Sequence, residues 1–337
     1  MTILPVPTRH RPRASSAIRA TLLAAALAAA CQAGAGAAPS EVALPGDRAF
    51  PESITSTADG TLFVGSIAEG GILRAAPGAA AARPWIEPGA NDSRSTFGVL
   101  ADEGSGTLWA CSNDVSGLGI PGPGTATGSA LVAFDLRTGA GKGRTPLPGD
   151  RAFCNDVAIG PDGAAYVTDS LNPRILRLRP GAGEFEVWAT DDRFASRAGG
   201  AGLDGIAFGG DGALYVDTFT PGGLFRVEVR DGAAGPVTAL KPSRPLTLPD
   251  GLRRYGADTF LMAEGGGTLD LVTVAGDEAR VETLAGGLAG PVSVTRVGDA
   301  AWVAEGQLKY VFDPKLRGEK PSLPFRLRAV PLAAAAR

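Results

Sequence analysis

The sequence predicts an all-β chain folded as a six-bladed β-propeller of four-stranded blades. Three observations carry that expectation. The part beyond residue 38, about 300 residues, is rich in Gly and Pro and shows short apolar runs between turn residues, with no sustained 3.6-residue period. Six segments align as copies of one unit. Each copy carries a turn and a second apolar position at a fixed offset, the mark of a repeating hairpin.

The aligned segments are Phe50-Pro-Glu-Ser-Ile-Thr, Ser95-Thr-Phe-Gly-Val-Leu, Phe153-Cys-Asn-Asp-Val-Ala, Gly202-Leu-Asp-Gly-Ile-Ala, Leu248-Pro-Asp-Gly-Leu-Arg and Ala289-Gly-Pro-Val-Ser-Val. Their third residues, Glu52, Phe97, Asn155, Asp204, Asp250 and Pro291, are spaced 45, 58, 49, 46 and 41 apart. Seven residues on comes a turn: Asp59-Gly60, Gly104, Asp162-Gly163, Asp211-Gly212, Ala257-Asp258 and Gly298-Asp299. Asp-Gly favours tight hairpins because glycine accepts positive φ without a Cβ clash. Twelve residues beyond each third residue stands a large apolar one: Val64, Trp109, Val167, Val216, Met262 and Val303. The heptapeptide Leu-Pro-Gly-Asp-Arg-Ala-Phe occurs twice, at 44–50 and 147–153.

Each unit reads as inner strand, tight turn, second strand, loop and one or two outer strands, and closing six of them in a ring satisfies the sheet edges. The last blade shows three strands, the third ending near Val311-Phe312. Its fourth comes either from Glu41–Leu44 or from Phe325–Val330, and the sequence leaves both open.

Residues 1–38 read as an export signal and residues 39–337 as the propeller. Arg9, Arg11, Arg13 and Arg19 precede the apolar run Ala20–Ala30, and Ala33-Gly34-Ala35 and Ala35-Gly36-Ala37 offer cleavage sites. The expected location is periplasmic or secreted, with lipid anchoring through Cys31 as the alternative. The apolar run is too short to span a membrane.

Removing the four leader arginines from 32 leaves 28 basic residues against 35 acidic, an acidic surface that argues against nucleic-acid partners. The single histidine, His10, falls in the leader, so histidine-based triads and zinc sites have no imidazole to work with. Cys111 and Cys154 remain, and export permits either a disulfide or two buried thiols.

In a propeller the inner strands line a central channel, so the six third residues crowd one mouth. Glu52, Asn155, Asp204 and Asp250 carry oxygen there, and three carboxylates on one axis repel without a cation. Hard oxygen donors without sulfur or imidazole suit Ca²⁺, or another hard divalent cation, and disfavour zinc. Any one of these residues alone reads more readily as a strand-start or turn residue bonding nearby amides; their joint occurrence at one repeat position points to metal. Ser112–Ser129, the longest connection after a second strand, is either a pocket wall or a surface insertion. Asp169, Asp217, Glu264 and Glu305 end second strands near the same rim, some as support for the ligands and most as solvated groups.

Across residues 41–315 the chain resembles the gluconolactonase/regucalcin (senescence marker protein) family, and more distantly diisopropylfluorophosphatase and paraoxonase. The resemblance is carried by Pro51-Glu52, by Asn155-Asp156 followed by Pro161-Asp162-Gly163, and by Pro249-Asp250-Gly251. It implies a calcium ion in the channel, with Glu52, Asn155 and Asp250 in the family's ligand positions and Asp204 where the family usually has Asn. It also implies an arginine two residues before the third-blade Asn; this sequence has Phe153 there, with Arg151 four residues before. A histidine-pair mechanism is excluded.

The implied function is an exported, calcium-dependent hydrolase of a small-molecule lactone or related ester. The ion polarises the carbonyl, Asp250 acts as the general base, and Asp204 is the second choice for that role. The alternative is a non-catalytic ligand-binding or scaffold propeller with a structural calcium.

Overall fold

The computed structural model describes residues 39–197, 200–316 and 318–332, together with 1, 2 and 4. The leader reading, with His10 and Cys31, lies outside them. The chain divides into Met1–Ala38 and Pro39–Arg337, and the second unit is a ring of six antiparallel sheets. No described helix is long and apolar enough to cross a membrane.

The inner strands are Pro51–Ser56, Ser95–Asp102, Cys154–Ile159, Leu203–Phe208, Pro249–Arg254 and Pro291–Val297. They start where the repeat alignment puts them. Each pairs with a second strand, and Ile54 faces Val64, Val157 faces Val167, Ile206 faces Val216 and Leu252 faces Met262. Both faces of these strands are covered by neighbouring blades. Alternation therefore gives way to unbroken burial, as in Leu62–Ser66, Ala165–Asp169 and Leu214–Thr218. Outer strands such as Gly141–Pro146 stand largely in solvent.

The hairpins turn as their sequences require. Gly60, Gly163 and Gly212 take φ of 89°, 74° and 79°. The preceding Asp59, Asp162 and Asp211 each accept an N–H two residues on, from Thr61, Ala164 and Ala213, at 2.9 to 3.1 Å.

The sixth blade uses both of the segments the sequence leaves open. Arg326–Pro331 is its third strand and Glu41–Ala43 its outer strand, with Val42 opposite Leu327. Val311-Phe312 is not strand: Lys309–Phe312 is a short helical turn within the 306–325 connection, which is longer than the 114–128 connection of the second blade. The ring closes with Leu44 N–H donating to Phe325 O at 2.8 Å and the Phe50 and Phe325 rings 4.8 Å apart. The fifth blade departs from four strands, adding Lys241–Pro242 parallel to Glu278–Ala285. Cys111 and Cys154 form a disulfide, tying the second strand of blade two to the inner strand of blade three.

Closure through Val42, only 2% exposed, makes it a sensitive position. Val42→Asp is expected to cost about 3 kcal/mol or more in denaturant unfolding, the scale of an unpaired buried charge. Glu41→Gln, on the same strand but outside the core, should change stability by less than about 1 kcal/mol.

Candidate metal centre

The register of each inner hairpin slips at the aligned third residue, or in the sixth blade one residue after it. The shift lies between Pro51 and Ile54, Thr96 and Val99, Cys154 and Val157, Leu203 and Ile206, Pro249 and Leu252, and Pro291 and Ser293. A bulge bends the strand and re-aims a side chain that regular pairing would commit to a sheet face. The bulges re-aim Glu52, Asn155, Asp204 and Asp250 alike, and in the sixth blade Val292, one residue beyond the aligned Pro291. Glycine follows in three blades, and it must: a Cβ on Gly98 would stand against the Asn155 carbonyl, and one on Gly205 against the Asp250 carbonyl.

Glu52, Asn155, Asp204 and Asp250 therefore line one narrow cleft with Ser53, Asp156 and Val292. All four candidate ligands are buried, at 5–6% exposure. The structure thus brings together the four oxygen-bearing residues of the repeat position, while Phe97 and Pro291 do not line the cleft. Phe97, at the same repeat position in blade two, is 4% exposed and meets Phe153 edge-on at 4.9 Å.

The amide of Asn155 is oriented. Its Nδ2 donates to Ser170 Oγ at 2.9 Å, and Ser170 Oγ donates to Leu203 O at 2.6 Å, which leaves Asn155 Oδ1 as the free acceptor. Thr168 Oγ1 accepts from Asp156 N and donates to Asp204 O at 2.7 Å, pinning the third and fourth inner strands together.

Charge is heavily one-sided. Glu52, Asp156, Asp204, Asp217 and Asp250 are all buried, and Arg253 is the guanidinium that reaches them, donating from Nη2 to Asp156 Oδ1 at 2.9 Å and from Nη1 to Oδ2. Burial pushes the Asp204 carboxyl up to about 8, the Asp156 charge adds to the rise, and hydrogen bonds with Asp250 and Asn155 oppose it. Burial likewise raises Glu52, Asp217 and Asp250 well above the carboxylate range, with the Asp204 charge the next cause in each. Asp217 Oδ1 accepts Gly205 N–H at 2.9 Å while its Oδ2 has no partner.

The donor set fits a hard cation: three carboxylates, one amide oxygen and an excess of buried negative charge. Among the described residues no trio of acidic, histidine or cysteine side chains is already closed into a coordination shell.

The acids ending second strands are not solvated, contrary to the sequence expectation. Asp169, Asp217, Glu264 and Glu305 are 0–2% exposed. Asp169 accepts Phe153 N–H at 2.9 Å and pairs with Arg174, while Glu305 accepts Ala289 N–H at 3.0 Å. Glu264 accepts Thr247 N–H and pairs with Arg244. They anchor the entry of their own blade's inner strand, a role that a buried carboxylate can fill. The 114–128 connection is tied down at the mouth by Arg94, which donates to Ala126 O at 2.8 Å and pairs with Asp114 at 3.2 Å.

The Asp156–Arg253 pair is missing from the sequence reading. Asp156 is flagged only by adjacency to Asn155, and Arg253 lies 97 residues away with no local signal.

These raised carboxyls give a signed pH dependence. Between about pH 4 and 8 the unfolded chain ionises Asp204 while the folded, cation-free protein keeps its proton, so the folded state binds more protons and stability falls as pH rises. Chelator-treated protein should melt higher at pH 5 than at pH 8, with a slope of up to about 1.4 kcal/mol per pH unit for each retained proton. Calcium should flatten the profile. A chelated melting temperature that is constant or rising over this range would contradict the assignment.

No protein-family model matches the chain. The Core trichothecene cluster (CTC) protein 14 of Fusarium sporotrichioides is 30% identical over 156 residues, covering 44% of this chain and 39% of that protein. The match thus spans about two fifths of the relative's length. Among solved structures, the allergen Mala s 1 of Malassezia sympodialis is similar with a TM-score of 0.67 at 16% identity, covering 86% of this chain and 96% of its own. A gluconolactonase from Xanthomonas campestris aligns with a TM-score of 0.61 at 16% identity, over 86% and 89%. A virginiamycin B lyase from Staphylococcus aureus aligns at 0.56 and 17%, over 79% and 80%. The chain shares its β-propeller fold with these proteins.

Proposed function

We propose that this propeller is a calcium-dependent hydrolase of a lactone or related ester, exported and acting on a small molecule. The observation that carries the reading is the convergence of Glu52, Asp204 and Asp250, with Asn155, in a buried cleft where Arg253 is already committed to Asp156. The shared fold with a gluconolactonase supports the same direction.

Glu52, Asn155, Asp204 and Asp250 would hold the ion. When bound, it would polarise the substrate carbonyl and offset the charge of the oxyanion as water adds. Asp250 takes the proton of that water at a carboxylate oxygen and returns it to the ring oxygen as the C–O bond breaks. Asp204, hydrogen-bonded to Asp250, shares a proton with it in the absence of the ion and is the alternative base. Asn155 donates its Nδ2 to Ser170, which leaves the carbonyl oxygen as the acceptor available to an ion.

The test is hydrolysis of a lactone and ester panel by the mature protein, with calcium and then with chelator. Turnover should vanish on chelation and return with calcium. Asp250→Asn should lower kcat by at least about a hundredfold while leaving circular dichroism unchanged. Calcium at a hundredfold excess over Kd should add about 2.7 kcal/mol of stability. No turnover on any substrate, with calcium still raising the melting temperature, would overturn the hydrolase and leave a binding propeller with a structural ion.

A further inference from the structure

The channel holds a second cavity besides the carboxylate cleft. Residues further along the same inner strands enclose about 270 Å³, near the lower end of the roughly 300–1,000 Å³ typical of small-molecule pockets. The cleft and the cavity share no lining residue. The Asp156–Arg253 pair joins them, with Asp156 in the wall of the cleft and Arg253 in the wall of the cavity. Asp102, Glu103 and Arg254 also line the cavity, next to the inner hairpin turns of blades two and five. The hydrolysis proposed above makes no use of this space.

Its polar groups are weighted toward donors. A guanidinium carries five N–H groups. Arg253 uses three of them, on the two Asp156 oxygens and on Leu252 O, and its buried Nε has no partner. A buried donor left in this state costs free energy until an acceptor reaches it. Arg254 is exposed and donates from Nε to Gly256 O at 2.9 Å, while its Nη groups pair with no acid among the described residues. The two acids are occupied by turn amides instead. Asp102 accepts Gly104 N–H at 3.1 Å, and Glu103 accepts Ala58 N–H at 2.9 Å. Much of the remaining wall is apolar. Leu100 and Ile159 pack on the core yet stay half-buried, and Val157 and Ile206 also line the space.

We propose that this half of the channel binds a small organic anion, a monocarboxylate with an apolar body. Arg253 and Arg254 take its charge, and Leu100 and Ile159 offer apolar area to its body. A planar carboxylate matches the guanidinium fork, and such charged hydrogen bonds are about twice as strong as neutral ones. Removing the body from water adds the apolar contribution. The site lies apart from the carboxylate cleft and does not depend on the hydrolase reading.

Hexanoate, cyclohexanecarboxylate and phenylacetate, each beside its primary amide, test this by calorimetric titration. The protein is first treated with chelator and dialysed free of it, so that no ion in the cleft can recruit a carboxylate. At least one of the acids should bind at one site per chain with Kd of about 1 mM or tighter, and at least about tenfold tighter than its amide. Arg254→Gln should weaken the carboxylate about tenfold and leave the amide unchanged. Arg254→Glu should abolish the preference. Arg280→Glu makes the same change of charge on an exposed arginine in Glu278–Ala285 and should alter affinity by less than about twofold. Equal affinity for every acid and its amide, equal losses in Arg254→Glu and Arg280→Glu, or no saturable binding by any of the three acids overturns the site.

Discussion

Burying carboxylates from four blades around one axis is the constraint on which the rest of this molecule depends. Glu52, Asp204 and Asp250 are each only 5–6% exposed, Asp156 and Asp217 stand behind them, and the guanidinium of Arg253 answers the Asp156 charge. Such an arrangement is unfavourable by itself, because desolvation and like-charge repulsion act together. It persists because the ring leaves these strands nowhere else to go. The bulge at the start of each inner strand turns its side chain inward, and Gly98 and Gly205 let neighbouring strands approach too closely for any Cβ. Two ways of relieving the charge follow, the second of them the cation that we propose. One is to retain protons, as the raised Asp204 carboxyl does; the other is to admit a hard cation.

The same closure explains why local polar groups look the way they do. Ser170 and Thr168 bridge blades three and four by bonding backbone carbonyls of Leu203 and Asp204, so the positions of Asn155 and Asp204 are set jointly. Cys154, next to Asn155, is bonded through sulfur to Cys111, and Asn113 clamps its backbone from both sides, accepting from Cys154 N and donating to Cys154 O. Residues that anchor strand entry are therefore also residues that position the cleft. Fold stability and site geometry are coupled at these points.

Much of this was legible in the sequence because a repeat converts weak local signals into a joint one. Asp250 alone is a turn-like Pro-Asp-Gly; aligned with Glu52, Asn155 and Asp204 it marks a ring, and the structure places all four in one cleft. What escaped was long-range or lacked a local signature. The Asp156–Arg253 pair joins the third and fifth blades across the tunnel. The third strand of blade six is separated from its hairpin by the 306–325 connection, so the regular spacing pointed instead to Val311-Phe312. Asp169, Glu264 and Glu305 resemble solvent-facing rim acids by position, and only the packed structure reveals the backbone N–H groups and arginines that occupy them.

The account turns on one cation completing the carboxylate ring. Calorimetric titration of calcium into chelator-treated mature protein tests it most directly, read beside Glu52→Gln, which removes one charge from the cleft and no residue from the core. One site per chain in the native protein, weakened at least about a hundredfold in the variant, is the result the account predicts. Absence of calcium binding, or binding that Glu52→Gln leaves unchanged, would contradict it.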